Sequence, residues 1–162
     1  MKYETPADCP YYLITRASLS ATAVLKKELT DSGLPEVKPA YLGVLMCLWT
    51  GEGLDEMLSK LGSEDGMRLT DLSRCAGLEP STMTGLIDRM ERDGLVQRSS
   101  DPHDRRSLKV TLTEKGGMIR DKVFEAVDRM LQEAFAGIQP GELEITRKVL
   151  RKVLTNANKG MM

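Results

Sequence analysis

The amino-acid sequence predicts a mainly α-helical protein that carries one short β-hairpin. Apolar residues recur at spacings of three and four along most of the chain, and glycine or proline separates these stretches. Apolar and polar residues alternate in residues 107–112, which is typical of a strand. With 162 residues, of which 41% are hydrophobic and 29% charged, the chain has the size and composition of a single globular domain.

Two helices are predicted at the start of the chain. Residues 12–30 have helical spacing, which ends before Gly33 and Pro35. Residues 39–49 begin with a proline, which a first helical turn accepts, and are apolar on nearly every side. We therefore expect the second helix to form the buried centre of the domain. Residues 51–66 hold a further apolar pattern that predicts a short inserted surface helix.

A helix-turn-helix is predicted next. Thr70 is expected to cap a helix over residues 71–76, which Gly77 ends. Pro80 opens another helix, and Gly94 stops it. Its apolar stripe consists of Met83, Leu86, Ile87 and Met90. Two short helices joined by about three residues that include glycine are typical of a helix-turn-helix.

A β-hairpin and two longer helices complete the prediction. Residues 95–99 and 107–112 are expected to be strands joined by the polar loop 100–106, which forms a wing beside the helix-turn-helix. Thr113 can cap a helix over residues 114–137, and a last helix follows Pro140. The apolar stripes of the first and last helices exceed what a three-helix core can cover, which predicts a homodimer.

The charge distribution indicates a local basic surface. The net charge of −1 excludes binding of nucleic acid through bulk positive charge. Residues 89–109 nevertheless carry six basic side chains against four acidic ones. All seven aromatic residues lie outside residues 50–123, and single-strand and RNA readers usually stack bases on aromatic rings. Double-stranded DNA is therefore the expected ligand.

Two groups of residues are candidates for DNA contact. Hydroxyl groups and arginines can bond phosphates or base edges, and a glycine lets the DNA backbone approach closely. The helix candidates are Pro80, Ser81, Thr82, Thr84, Gly85 and Arg89. The wing candidates are Arg98, His103, Asp104, Arg105 and Arg106. In the alternative interpretation, the helix is an ordinary amphipathic helix and the loop is a solvated turn. Their polar side chains then contact only water.

From Leu69 to Gly116 the sequence LTDLSRCAGLEPSTMTGLIDRMERDGLVQRSSDPHDRRSLKVTLTEKG resembles the MarR family of bacterial transcriptional regulators. It follows the family order of helix-turn-helix, glycine-leucine-valine strand, DxxDRR wing and LTxxG helix start. The resemblance implies a winged helix-turn-helix lobe over residues 36–112 with an inserted segment at 51–66. It also implies dimerisation helices over 10–34 and 113–158 within one domain, 1–162.

The same resemblance implies a function. A dimeric regulator of this family, commonly a repressor, binds an inverted-repeat operator in duplex DNA, and a small effector sets its DNA affinity. Arg106 then enters the minor groove, with Asp104 as its support. A small aromatic or phenolic effector is expected near Tyr11, Tyr12, Tyr41 and the second helix. The link between the second and third helices, residues 52–66, is longer than is usual in the family.

The three cysteines, Cys9, Cys47 and Cys75, are scattered and form no metal-binding spacing. We therefore expect neither a disulfide framework nor a zinc site, and all three should remain thiols, with Cys47 and Cys75 acting as small apolar residues. One branch of the family senses organic peroxides through a cysteine near the start of its first helix. Cys9 is a candidate for that role, although alignment places Tyr12 at the sensor position.

Other classes of function have weaker support. His103, the single histidine, has no neighbouring catalytic signature, and no glycine-rich phosphate loop follows a strand, so no enzyme activity and no cofactor are expected. The acidic residues of segment 52–65 lack the spacing of a calcium loop and are expected to be solvated. A protein-interaction module is the remaining alternative. The longest apolar run, residues 40–49, is too short to span a membrane, so we expect a cytoplasmic protein.

Overall fold

The computed structural model describes residues 5–51, 66–101 and 104–158, without the side chains of residues 6, 101, 104–107 and 158. Its α-helices are α1 (Pro10–Asp31), α2 (Leu42–Thr50), α3 (Leu69–Ala76), α4 (Pro80–Arg92), α5 (Glu114–Met118), α6 (Arg120–Ala134) and α7 (Pro140–Asn158). Its strands are β1 (Met67–Arg68), β2 (Val96–Asp101) and β3 (Asp104–Leu112). The chain divides into two compact units, Met1–Met130 and Leu131–Met162.

Helices α1 and α2 confirm the predictions for the start of the chain. A single 3₁₀ turn, Pro39–Tyr41, leads into α2, and Gly51 ends α2 in the left-handed conformation. Val44 and Leu45 of α2 are fully buried, as expected for the centre of the domain. The predicted inserted helix lies outside the described residues.

The predicted helix-turn-helix is present as α3 and α4. Gly77 adopts a φ of 65° and ends α3, which the sequence also predicted. The predicted cap is wrong, because α3 begins two residues earlier in the chain than expected. Arg68 occupies the N-cap position and its side chain forms no capping hydrogen bond, and Thr70 lies inside the first turn. Strand β1 leads directly into the helix.

The hairpin is part of a three-stranded antiparallel sheet in the order β1-β3-β2. Val96 pairs with Leu112, and the ladder continues to Asp101, which pairs with Asp104. The prediction of a two-stranded wing is therefore incomplete, because β1 pairs through Met67 with Val110. Two residues are too few for an alternating pattern to be visible in the sequence. The two long strands also extend into the predicted loop 100–106.

The helix predicted over residues 114–137 is divided into α5 and α6 at Ile119. Its predicted cap is confirmed: the Thr113 hydroxyl oxygen accepts a hydrogen bond from the Gly116 amide at 3.0 Å. The same hydroxyl donates to the Gly94 carbonyl at 2.7 Å. Thr113 therefore attaches the start of α5 to the end of the helix-turn-helix.

An ion pair joins α1 to α6. Arg129 Nε donates to the Glu28 carboxylate at 2.9 Å, and Glu28 is nearly buried. The hydrogen bond from Arg129, followed by that from Lys27, lowers the pKa of the Glu28 carboxyl below its usual value. Glu28 therefore stays ionised and keeps the two helices in contact.

The structure corrects the prediction that all cysteines are thiols. Cys47 of α2 and Cys75 of α3 form a disulfide, with their Cα atoms 6.2 Å apart, and only Cys9 is free. Both residues lie on the buried faces along which α2 and α3 pack, and they are 3% and 1% exposed. Their separation of 28 residues contains no signal of this helix contact, so spacing rules could not find it.

Reduction should therefore destabilise the protein. Under denaturing, non-reducing conditions, thiol titration should give one reactive thiol per chain, and three after reduction. Because the disulfide restricts the unfolded chain across 28 residues, reduction should lower the free energy of unfolding by about 3–4 kcal/mol. Chemical unfolding with and without a phosphine reductant measures this. Cys9→Ser should preserve the difference and Cys75→Ala should abolish it; an unchanged midpoint after full reduction of the wild type would contradict the prediction.

Candidate nucleic-acid interface

Helix α4 is anchored by one buried face. Its predicted apolar stripe, Met83, Leu86, Ile87 and Met90, is confirmed, with each side chain at most 2% exposed. These residues join the core formed with Val44, Leu45 and Leu72 of α2 and α3. Pro80 occupies the first turn, where its missing N–H has no partner to lose. The orientation of α4 is thus fixed by packing, and its other face points outward.

The outward face of α4 carries small polar and basic side chains. Ser81, Thr82, Thr84 and Arg89 are exposed, as predicted from the helical spacing. The Thr84 hydroxyl donates to the Pro80 carbonyl at 3.1 Å. Its oxygen lone pairs stay available to a donor such as a base amino group, and its methyl group stays available for apolar contact.

Gly85 lies among these residues, and the protein itself has room for a side chain there. A Cβ atom added at this position would meet only Arg89 Nη1, at 3.8 Å. Packing within the chain therefore does not require glycine. A close approach by a ligand is a physical reason for glycine at this position.

The end of α4 is held by two contacts that the sequence did not reveal. The Tyr41 hydroxyl donates to the Asp93 carboxylate at 2.7 Å, and Lys115 Nζ donates to the Asp93 carbonyl at 3.1 Å. Burial raises the pKa of Tyr41 to about 12, and the bond to Asp93 adds to the increase. Tyr41 is therefore a protonated donor at neutral pH. It is 2% exposed, whereas the sequence placed it in an effector pocket.

A second anchor joins α2 to the helices that follow the hairpin. Trp49 Nε1 donates to the Gly116 carbonyl at 3.0 Å, and its ring lies 5.7 Å from that of Phe124. A sequence signal for this contact existed, because Trp49 is the single tryptophan and a buried indole N–H needs an acceptor. The partner, a backbone carbonyl 67 residues away, was not predictable.

The wing candidates fall into two groups. Asp104, Arg105 and Arg106 belong to β3, but their side chains, like His103 as a whole, lie outside what the structure describes, so their roles stay predictions. Arg98 of β2 is described, and its guanidinium turns onto α4. It forms ion pairs with Asp88, at 2.8 Å, and with Glu91. These two pairs were missed because nothing in the sequence indicates that β2 runs beside α4.

The first turn of α1 holds the other candidates. Tyr11 and Tyr12 are 78% and 45% exposed, so their rings are accessible. Cys9 occupies the N-cap position of α1, is half-buried and has a free thiol. Its proposed peroxide sensing stays a hypothesis. The structure thus does not bring Tyr41 to the surface beside Tyr11 and Tyr12.

The described ranges contain neither a metal site nor a membrane span. Within them, no group of three or more histidine, cysteine or acidic side chains is arranged to hold a metal ion. The acidic residues of the alternative metal site lie in segment 52–65, which the structure does not describe. No helix in the described ranges has both the length and the apolar character needed to cross a bilayer.

Comparison with known proteins agrees with this architecture. The model of the MarR family matches residues 56–108. The HTH-type transcriptional regulator YkoM of Bacillus subtilis is 30% identical over 142 residues, which cover 88% of this chain and 82% of that protein.

Solved structures of regulators are similar over nearly their whole length. BpsR of Bordetella bronchiseptica, whose DNA binding is regulated by 6-hydroxynicotinic acid, is 25% identical with a TM-score of 0.74, and the match covers 94% of this chain and 97% of that one. CouR of Rhodococcus jostii RHA1, solved bound to p-coumaroyl-CoA, is 25% identical with a TM-score of 0.71 over 93% and 95%. The helix-turn-helix, the hairpin and these similarities show that the chain belongs to the MarR family of transcriptional regulators.

Proposed function

We propose that this regulator binds an inverted-repeat operator in duplex DNA as a homodimer, inserting α4 into the major groove and the β2–β3 hairpin into the adjacent minor groove. The observation that carries the proposal is the division of α4 into a fully buried face and an exposed face of hydroxyl groups and Arg89. A rigidly anchored helix of this kind presents side chains to base edges without a cost for ordering its backbone on binding.

Dimeric binding agrees with the exposed apolar residues of the terminal helices. Helix α1 exposes Leu13, Ile14 and Leu19, and α7 exposes a stripe of its own. Family members bind DNA as dimers. Two-fold symmetry then places the two half-sites about one helical turn, ~10 base pairs, apart.

The test is binding to DNA from upstream of the protein's own gene. Fluorescence anisotropy should show much tighter binding to the duplex than to either single strand, because residues 50–123 hold no phenylalanine, tryptophan or tyrosine on which bases could stack. Affinity should fall steeply with salt as arginine–phosphate contacts release counterions. Equal affinity for duplex and single strands would overturn the proposal.

The two predicted DNA-contacting elements should respond differently to mutation. Arg106→Ala should weaken binding to operator and scrambled duplexes alike, by roughly 5- to 150-fold, and flatten the salt dependence by about one unit if a phosphate contact is lost. Thr84→Ala should instead change the preference among operator variants. Gly85→Ala should weaken DNA binding while leaving the unfolding temperature unchanged or raised, because the protein has space for the methyl group and alanine favours a helix more than glycine does. An Arg106→Ala dimer with unaltered affinity at two salt concentrations would exclude the wing role.

We further infer that the protein represses transcription and that a small aromatic or phenolic effector releases it from DNA. The inference is supported by two similar structures: the DNA binding of BpsR is regulated by 6-hydroxynicotinic acid, and CouR was solved bound to p-coumaroyl-CoA. An effector changes DNA affinity only through its different affinities for the two arrangements of the dimer, and a tenfold release needs about 1.4 kcal/mol of coupling. Titration of the protein–operator complex with phenolic acids tests this, and deletion of the gene should raise transcription from its own promoter.

We expect Tyr41 to take part in the effector response because of its contacts. Tyr41 precedes α2 and donates to Asp93 at the end of α4, so it joins the central helix to the DNA-contacting helix. Tyr11 and Tyr12 offer exposed rings for effector contact. If the effector acts through α2, Tyr41→Phe should reduce the shift in DNA affinity that the effector causes more than it reduces DNA affinity itself.

A further inference from the structure

All the interactions described for the Arg98 side chain are with α4, the helix proposed to face DNA. Its Nη2 atom lies 2.8 Å from Asp88 Oδ1, and its Nη1 atom pairs with Glu91 Oε2. Its backbone N–H donates to Glu91 Oε1 at 2.8 Å. Nη2 also donates to the Thr84 carbonyl at 3.4 Å. The side chain is 22% exposed, so most of the guanidinium is turned toward α4.

The two carboxylates that Arg98 contacts occupy a sensitive position. Asp88 follows Thr84 by four residues, so the two lie on one face of α4, and Asp88 is 54% exposed. That face is the one proposed to meet DNA. An unpaired carboxylate there would repel the phosphate backbone, whereas a guanidinium in direct contact cancels its charge.

The contact with Glu91 has a mechanical consequence as well. Glu91 accepts both from the backbone N–H of Arg98 and from its guanidinium, so one carboxylate holds β2 at two points. Strand β2 continues from Arg98 to the hairpin tip, where Asp101 pairs with Asp104. The base of the wing is therefore fixed to α4, and the spacing between wing and helix is set at this point.

We propose that Arg98 is a positioning residue that acts on DNA through α4, by neutralising Asp88 on the DNA-facing surface and by fixing the wing through Glu91. The inference rests on the proposed DNA-binding function. It replaces the expectation, drawn from the sequence, that Arg98 itself contacts DNA. The two roles differ in one respect: neutralisation by Arg98 matters only while residue 88 is charged, whereas a direct phosphate contact would matter whatever residue 88 is.

A double-mutant cycle separates the two roles. The dissociation constant for operator duplex is measured for wild type, Arg98→Gln, Asp88→Asn and the double variant at two salt concentrations. Arg98→Gln should weaken binding about tenfold, because Asp88 becomes an uncompensated charge. Adding Asp88→Asn should restore affinity to within about threefold of that of Asp88→Asn alone. The Glu91 contact with the Arg98 backbone is kept in all four proteins.

Three results would overturn the proposal. Arg98→Gln could weaken operator binding equally with Asp88 and with Asn at position 88, and flatten the salt dependence of binding by about one unit. This result would identify a direct phosphate contact. An unchanged affinity for Arg98→Gln would exclude any role. A loss of affinity that only follows a lower unfolding temperature, without rescue by Asp88→Asn, would indicate a merely structural residue.

A readout without DNA keeps the test independent of the proposed function. Arg98→Gln and Glu91→Gln should each lower the unfolding temperature. The double variant should lower it by less than the sum of the two single effects, because both substitutions remove the same Arg98–Glu91 contact. Additive effects would overturn the link between wing and helix even if the wild type bound no duplex. The opposite result is also informative. If the Arg98–Glu91 coupling is present but the wild type does not prefer duplex DNA, the proposed DNA-binding function is wrong, and so is the proposed neutralisation of Asp88 for DNA binding.

Discussion

Replacing Gly116 with alanine should lower the free energy of unfolding by about 3 kcal/mol or more. A Cβ atom at this position would overlap the Leu95 carbonyl oxygen and lie 3.0 Å from the carbonyl carbon and 3.3 Å from Leu112 Cδ2. Two of these three atoms belong to the backbone, which cannot move away as a flexible side chain can. The overlap would push α5 away from the strands that form the hairpin.

The displacement should also break specific bonds. The Gly116 amide donates to Thr113, and its carbonyl accepts from Trp49, so the cap of α5 and the anchor of α2 both depend on this close approach. Chemical unfolding measures the loss of stability, and tryptophan fluorescence should report the change around Trp49.

Gly117→Ala is the matched control. It is the next residue of the same short helix, and a Cβ added there meets nothing within 4 Å. Alanine should be neutral or stabilise the protein by up to about 1 kcal/mol, because it reduces the freedom of the unfolded chain. Equal stability of the two variants would contradict the packing described at Leu95.

Local patterns predicted most of the helices, and several of them, including α1 and α4, were predicted from a one-sided apolar stripe. The four residues Met83, Leu86, Ile87 and Met90 identify the buried face of α4 without any knowledge of what covers it. The Thr113 cap was equally local, since its partner is three residues away. By contrast, β1 has two residues, and its pairing with β3 is a contact between distant segments that leaves no periodic trace.

The contacts that organise the candidate site are long-range, which is why they were not predictable. Tyr41 and Asp93 are 52 residues apart, and the Cys47–Cys75 disulfide depends on how α2 crosses α3. Arg98 illustrates the same limit. Its basic character suggested DNA contact, whereas its surroundings on α4 are two carboxylates. A sequence supplies the charge of a side chain, but the partner depends on the packing of separate elements.

The second large effect is expected from the apolar face of α7. Its exposed apolar residues recur along one side of the helix: Ile145, Val149, Leu150, Val153 and Leu154. They are 40–65% exposed in the single chain, a stripe that a soluble protein normally covers. We expect a second copy of the chain to cover it, as the proposed dimer requires.

Val149→Glu combined with Val153→Glu should therefore dissociate the dimer. Two carboxylates placed in an apolar interface lose hydration without gaining partners. The unfolding temperature should also fall, because dissociation leaves the apolar stripe of α7 uncovered. Affinity for the inverted repeat should fall at least about a hundredfold, because the two half-sites are no longer bound by one linked molecule. Sedimentation velocity and anisotropy on the same samples measure both effects.

The control alters the opposite face of α7 by the same charge. Lys148→Gln combined with Thr155→Glu also makes the net charge more negative by two units, and both side chains are exposed. This variant should stay dimeric and keep most of its affinity for the operator, apart from a modest electrostatic loss. If the two double variants lost affinity equally while both stayed dimeric, charge alone would account for the effect, and the apolar face of α7 would not be the dimer contact. The exposed apolar residues of α1, Leu13, Ile14 and Leu19, would then be the next surface to test as the contact between two chains.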